Sequence, residues 1–222
     1  MMQTTLSGTV YVYQGEEIGM RNVPTSWDPS EYKDVEAINY WNKMNAMYPD
    51  NKTQLDFAKT VMQRKARDNA RTPVQWSGEA NAGFCDAGVE PWMRVNDDYK
   101  EVNAEAARKF NEPDQLSVLQ FWKRALANRK EHKDVFVYGD FLMLDEQHDK
   151  VMAYKRMSDK EAFVTVLNFS GQEVEWALPQ EAKVKAWVAG NYTKSAPEKA
   201  TSGKVVLRPW EALLGECFSA GA

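Results

Sequence analysis

A chain of 222 residues, 43% hydrophobic and 27% charged, is long enough to bury a real core in one large domain or two small ones. Its net charge of −4 and pI near 5.4, with Lys and Arg scattered rather than clustered, speak against phosphate recognition, so no nucleic-acid partner is expected. No apolar run approaches the roughly 18 residues that cross a membrane, and the opening MMQTTLSGTV lacks the basic start and apolar stretch of a secretion signal, so no membrane partner is expected either.

Cys85 and Cys217 lie too far apart for metal-ligand spacing, and only His132 and His148 are available to join them. Neither a metal site nor a cofactor is expected. Two thiols without a disulfide framework suit a reducing compartment, and the expected location is cytoplasmic.

Met1 to Leu6 reads as the end of a helix that Gly8 closes in a left-handed conformation. Thr9 to Tyr13, TVYVY, follows as a short β-branched and aromatic run, the pattern of a strand buried on both faces in a parallel sheet. Two helices are predicted next. Val35, Ile38, Trp41 and Met44 recur at helical spacing within Glu31 to Met47; Leu55, Ala58 and Val61 or Met62 do so within Gln54 to Ala66, with Tyr48-Pro49-Asp50 as the turn between.

From Thr72 to Asn111 the chain is punctuated by Pro73, Gly78, Gly83, Gly88 and Pro91, which predicts a long ordered loop carrying Trp76, Phe84 and Trp92. A helix is predicted from Asp114 to Glu131. Leu116, Leu119, Trp122 and Leu126 would form its buried stripe, and Arg129, Lys130 and Lys133 stand where the helix dipole favours positive charge.

Beyond Lys133 the period changes to two. Strands are predicted at Val135 to Tyr138, Phe141 to Leu144, Val151 to Lys155, Phe163 to Asn168, Val174 to Leu178, Val184 to Val188, Val205 to Leu207 and Ala212 to Phe218. Many short strands at near-regular spacing indicate an antiparallel β-sandwich over residues 134–222, after a first domain of residues 1–133. Trp176, Trp187, Tyr192 and Trp210 are read as core rather than as a sugar-binding surface, because Trp176 alternates with Glu175. Thr193 to Thr201, rich in Ser, Pro, Glu and Lys, is expected to be mobile.

Several segments make the ordering specific: TVYVYQGEEIGM at Thr9 to Met20, RDNARTPVQW at Arg67 to Trp76, NAGF at Asn81 to Phe84, SVLQFWKRALANRKEH at Ser117 to His132 and VLNFS at Val166 to Ser170. Together with Pro91-Trp92 and Val95-Asn96 they resemble glycoside hydrolase family 13, in its maltase, isomaltase and oligo-1,6-glucosidase branch. The resemblance covers nearly the whole chain and implies an α/β plus all-β architecture. Thr9 to Tyr13 would be the last strand of a (β/α)8 TIM barrel, Asp114 to Glu131 its last helix, and an antiparallel β-sandwich would follow. The excursion from Gln14 to Glu112 would then lie on the catalytic face.

Retaining glycosidases use two carboxyl groups about 5 Å apart, one attacking the anomeric carbon and one protonating the leaving oxygen. In the resembling family an Asp, a Glu and a further Asp lie in three motifs, the last ending in Asn-His-Asp. No Asn-His-Asp occurs here, and His148-Asp149 belongs to a turn, EQHDK. No catalytic residue is therefore assigned to this chain, which is expected to be inactive alone, with Met1 an internal methionine. The resemblance gives Arg71 a place in the glucose pocket, its other reading being a salt bridge to Asp68. Asn81 and Phe84 are read at the edge of the leaving-group subsite, where an exposed aromatic offers a stacking face to a sugar ring, with core filling the equal alternative for the aromatic; Glu16, Glu17, Arg67 and Asp68 are read as pocket scaffold. Val74 departs from the family's usual Met. The implied partners are an oligosaccharide of maltose or isomaltose type and an amino-terminal barrel segment. The alternative is a non-catalytic homologue acting as an interaction or carbohydrate-binding protein.

Overall fold

The computed structural model describes residues 1–218. Its helices are α1 (Met2–Thr5), α2 (Val35–Met47), α3 (Lys52–Lys65), α4 (Ala104–Lys109), α5 (Val118–Glu131) and α6 (Lys133–Phe136). The strands follow as β1 (Asp140–Met143), β2 (Val151–Met157), β3 (Ala162–Asn168), β4 (Val174–Ala177), β5 (Val184–Gly190), β6 (Lys204–Leu207) and β7 (Ala212–Cys217). Two packed units result. One joins Met1–Val12 to the chain from Phe110 onward; the other is Tyr13–Lys109. The change of pattern near Lys133 marks where strands begin, whereas packing groups residues 1–12 and 110–133 with them.

In the first unit, five strands pair in the order β1-β2-β3-β7-β5, and β4 pairs with β6 in a second sheet, every pairing antiparallel. Strand β3 is buried along its whole length because both of its faces are covered. Ala162, Val164 and Val166 meet Trp176, Val205 and Leu207 of the smaller sheet, while Phe163 packs on Val135, Phe136, Ala189 and Leu214. Trp176 and Trp187 are core, as the alternation required, and each indole N–H finds an acceptor, at Asp145 Oδ2 (3.0 Å) and the Ala200 carbonyl (2.9 Å). Tyr192 and Trp210 are not core: they are 39% and 60% exposed, because both sit in turns beyond the strand ends.

The helical face of the larger sheet is held by arginines donating to backbone carbonyls. Arg156 is fully buried and donates to the carbonyls of Asp140, Val135 and Gly139, at 3.1, 3.1 and 2.7 Å. Arg129 donates to those of Thr4, Leu6, Gly8 and Phe136, clipping the first eight residues to the α5–α6 corner. The Thr5 hydroxyl lies 2.6 Å from that of Tyr154 and accepts from Thr165 at 3.2 Å.

Three sequence expectations give way here. Thr9–Tyr13 is not a buried strand: no described strand lies alongside it, so it pairs with nothing and Tyr11 is 83% exposed. Val135–Tyr138 is not a strand either. Lys133–Phe136 makes a helical turn on the His132 carbonyl, which accepts from Val135 and Phe136 and drives both side chains into the core. Helix α5 starts at Val118 instead of Asp114, since Ser117 and Gln120 form a capping box while Asp114 adopts φ +50° and anchors a distant loop. Its Leu116, Leu119, Trp122 and Leu126 stripe is half-buried to exposed, because within its own unit no layer covers that side. The loop 193–201 is tied at several points: Ser195 is bonded to Asp114, Lys194 to the Glu112 carbonyl and Lys199 to Glu211.

The second unit packs α2 against α3 around Val23, Trp27, Tyr32, Ala37, Met62, Ala66 and Met93. The long loop expected over residues 72–111 is interrupted by a 3-10 turn at Ala80–Gly83 and by α4, where the Asn103 side chain accepts from the Ala106 amide at 2.7 Å.

Candidate functional site

The segment Arg67 to Trp76 leaves α3 through a 3-10 turn, Arg67–Ala70. Asp68 is fully buried, and its two carboxylate oxygens accept from the amides of Lys33 (2.9 Å) and Asp34 (3.0 Å). Arg67 is paired with Asp34 at 2.9 Å and Glu36 at 3.4 Å. Burial pushes the Asp34 carboxyl up, but Arg67 more than offsets it and leaves the group below the ordinary carboxylate range. Asn69 accepts from the Val23 amide and donates to the Gln63 carbonyl, at 3.1 and 2.8 Å. Tyr13 donates its hydroxyl to the Ala70 carbonyl at 2.8 Å. The turn is thus fixed on several sides.

Arg71 follows at once, and its N–H donates to the Asp68 carbonyl at 2.9 Å. Its side chain is exposed and makes no ion pair or hydrogen bond among the described residues, so the salt bridge to Asp68 is not formed. Past Arg71 the chain is buried again through Thr72, Pro73, Val74 and Gln75. Gln75 donates to Asp98 Oδ1 (3.0 Å) and to the Val102 carbonyl (2.6 Å). A guanidinium is therefore projected into solvent from a backbone pinned on both sides.

Glu16 and Glu17 fold back on their own turn. Glu16 accepts from the Tyr13 amide at 3.2 Å and Glu17 from the Gly15 amide at 2.8 Å, with Gly15 in the left-handed region at φ +91°. In that geometry they brace the chain. Asn81 and Ala82 both adopt positive φ, an arrangement costing of order 1–3 kcal/mol per residue. The Asn81 amide donates to the carbonyls of Asp86 (2.9 Å) and Val89 (2.8 Å), tying down the loop that contains Phe84 and Cys85. Phe84 keeps a partly exposed ring.

Asn81 also lines a cavity of about 390 Å³ with Glu90, Pro91, Arg94, Val95, Asp97 and Tyr99. Arg71 and Phe84 are not among its lining. Arg94 stacks over Trp27 at 4.2 Å and pairs with Glu31 (2.9 Å) and Asp97 (3.4 Å), a cluster that sequence reasoning missed. Trp27 and Arg94 are too distant in sequence for any local pattern to join them. Both histidines are structural: His132 Nδ1 lies 3.2 Å from Glu161, and His148 Nδ1 accepts from the Lys150 and Val151 amides of its turn. Among the described residues no group of three or more His, Cys, Asp or Glu is placed to hold a metal.

A family model described as alpha amylase, catalytic domain, matches residues 1–139, and a maltogenic amylase C-terminal domain matches residues 141–214. The chain belongs to the α-amylase family, glycoside hydrolase family 13. An α-glucosidase of Candida albicans is 42% identical over 96% of this chain, and an oligo-1,6-glucosidase of Parageobacillus thermoglucosidasius is 37% identical over 93% of it. Among solved structures, Bacillus licheniformis trehalose-6-phosphate hydrolase superposes with a TM-score of 0.80 at 35% identity, over 96% of this chain and 36% of its own. The family resemblance read from RDNARTPVQW therefore holds, as does the architecture of catalytic-domain part plus antiparallel sandwich. The chain spans 35% of the length of both glucosidases.

Proposed function

We propose that this chain forms the carboxy-terminal portion of an α-glucosidase that hydrolyses terminal α-glucosidic bonds of maltose- or isomaltose-type oligosaccharides. The observation that carries the reading is Arg71: an exposed guanidinium, without a partner among the described residues, on a turn braced by Asp68, Arg67 and Asn69. A rigidly presented fork of donors matches sugar hydroxyls and a carboxylate, and pre-organisation spares the entropy of ordering it.

In this reading the reaction retains configuration. One carboxylate attacks the anomeric carbon while a carboxylic acid protonates the leaving oxygen; water then releases the sugar, with the second group now acting as base. Both groups are supplied by a preceding barrel segment. Arg71 donates to a glucosyl hydroxyl and to the attacking carboxylate, holding it ionised. Asn81 shapes the wall of the leaving-group side and Phe84 offers a ring face there, with Glu16, Glu17, Arg67 and Asp68 as scaffold.

The test is reconstitution. The purified chain alone is expected to release no glucose from maltose or isomaltose, and turnover by it would overturn the placement of the carboxyl groups. Co-expression with the preceding part of the Candida albicans relative is expected to restore turnover. Arg71→Ala should then lower kcat/KM about 100-fold, the loss of roughly two charge-assisted hydrogen bonds. An unchanged kcat/KM would remove Arg71 from the pocket.

A further inference from the structure

The sandwich unit has a cavity of its own, about 370 Å³, at the end of β5 and just before the start of β7. Its walls are the loop 191–201 and the turn Arg208–Glu211, and neither is slack. Ser195 donates its amide and hydroxyl to Asp114 Oδ1 at 2.9 and 2.6 Å, and these bonds hold the Asp114 carboxyl below its ordinary range. Arg124 donates to the carbonyls of Gly190 (2.6 Å) and Lys194 (2.9 Å), and Lys199 to that of Val206 (2.7 Å). The space they enclose is preformed, with a size at the lower end of that of small-ligand sites.

Its chemistry is unusual for a surface cleft. Glu211 is only 3% exposed; its Oε2 accepts from the Arg208 amide (2.7 Å) and from Lys199 Nζ (3.0 Å), while Oε1 accepts nothing among the described residues. The Arg208 guanidinium stacks over the Tyr192 ring at 5.1 Å and bonds no described acceptor with its side chain. A carboxylate with spare acceptor capacity and a fork of unspent donors thus line the same cavity. Between Arg208 and Glu211 stands Trp210, 60% exposed and at φ +56°. A bulky residue in the left-handed region stores strain, and such outliers concentrate at ligand clamps.

Net charge narrows the ligand. Among the lining side chains Asp114, Glu198 and Glu211 stand beside Lys199 and Arg208, and Lys199 is already committed to Glu211, so the lining offers an anion no excess of free positive charge. Adjacent hydroxyls, each both donor and acceptor, satisfy Glu211 Oε1 and Arg208 together, and the exposed part of Tyr192 offers apolar contact to a pyranose C–H face. We propose that this cavity binds one or two residues of a neutral oligosaccharide. No residue of the Arg67–Trp76 segment takes part, so the proposal stands whether or not Arg71 serves a glucose pocket.

The test is a titration of the full chain with maltotriose, followed by amide chemical shifts. Saturable shifts in residues 190–199 and 208–211 are expected, with a Kd of the order of 1 mM. Arg208→Gln and Tyr192→Phe, both at the rim, are compared. Arg208→Gln should weaken binding at least about tenfold, the loss of one good polar contact, with the melting temperature unchanged. Tyr192→Phe, which gives up only the hydroxyl's 2.7 Å bond to the Pro209 carbonyl and keeps the ring, should bind within about threefold of the parent chain. Arg71→Ala should leave these shifts in place. Shifts confined to residues 13–109, or binding indifferent to Arg208→Gln, would overturn the proposal. So would the same shifts produced by inorganic phosphate but not by maltotriose.

Discussion

The backbone amide of Asp34 donates to the carboxylate of Asp68 at 3.0 Å, joining the start of α2 to the turn that presents Arg71, 34 residues away in the chain. The second Asp68 oxygen takes the Lys33 amide, so one fully buried side chain satisfies two adjacent amides. Asp68→Ala is expected to destabilise the Tyr13–Lys109 unit by about 2–4 kcal/mol, since an orphaned buried amide costs about 1–3 kcal/mol and that of Lys33 is only partly buried. Hydrogen exchange at Lys33 and Asp34 checks it: protection unchanged from the parent chain would mean the amides find other acceptors.

The same junction carries an acid sensitivity. Although burial raises it, the Asp34 carboxyl is held below the ordinary range by Arg67. A depressed folded value contributes stability that is present above the unfolded pKa, near 4, and is lost as pH falls through the folded value. Melting of the Tyr13–Lys109 unit should therefore weaken from about pH 4 downward. Arg67→Met should flatten that slope; a slope as steep as in the parent chain would assign the sensitivity to other carboxyl groups.

In the sandwich unit the decisive charge is Arg156, fully buried and bonded to carbonyls instead of a carboxylate. Arg156→Met keeps the apolar stem but leaves the carbonyls of Asp140, Val135 and Gly139 without this donor. A loss of roughly 3 kcal/mol or more is expected in urea unfolding. A change below about 1 kcal/mol would mean that water replaces the guanidinium without penalty.

The two thiols should separate cleanly. Burial pushes the Cys217 thiol up to about 11, while Cys85 is half-buried in a loop with Sγ 3.4 Å from the Val89 carbonyl. At about pH 8 a thiol-specific reagent should label Cys85 rapidly and Cys217 only after denaturation, because the thiolate is the reactive form. Rapid native labelling in a Cys85→Ser chain would contradict the burial of Cys217.

Where the sequence could be read, its signals were local. Val174, Trp176 and Glu175 alternate as a half-buried strand must, and β4 carries that burial pattern. Gly8 is left-handed, at φ +85°, as its position suggested, although α1 itself is capped two residues earlier by Leu6 in an extended conformation. The failures share a cause. TVYVY has a strand's composition, but a strand exists only by pairing, and no described neighbour supplies it. Val135 and Phe136 are apolar enough for a strand, yet the carbonyl they bond is that of His132, three and four residues back. Asp114 looked like part of a helix because its tie to Ser195, 81 residues on, leaves no local trace. At the candidate site, RDNARTPVQW drew the eye to Arg71, and the contacts that hold it still are long-range ones no spacing rule contains.

The hydroxyl of Thr165 reaches that of Thr5 across 160 residues, with the whole Tyr13–Lys109 unit in the intervening chain. During synthesis α1 emerges long before its seat exists, since β2 and β3 are made about 150 residues later. Closing so long a loop costs only about 0.6 kcal/mol more than closing one half its length, so equilibrium stability hardly registers the insertion. The rate does: contacts of high sequence separation form late. Met1–Val12 is thus a latch that the rest of the unit must be built to receive.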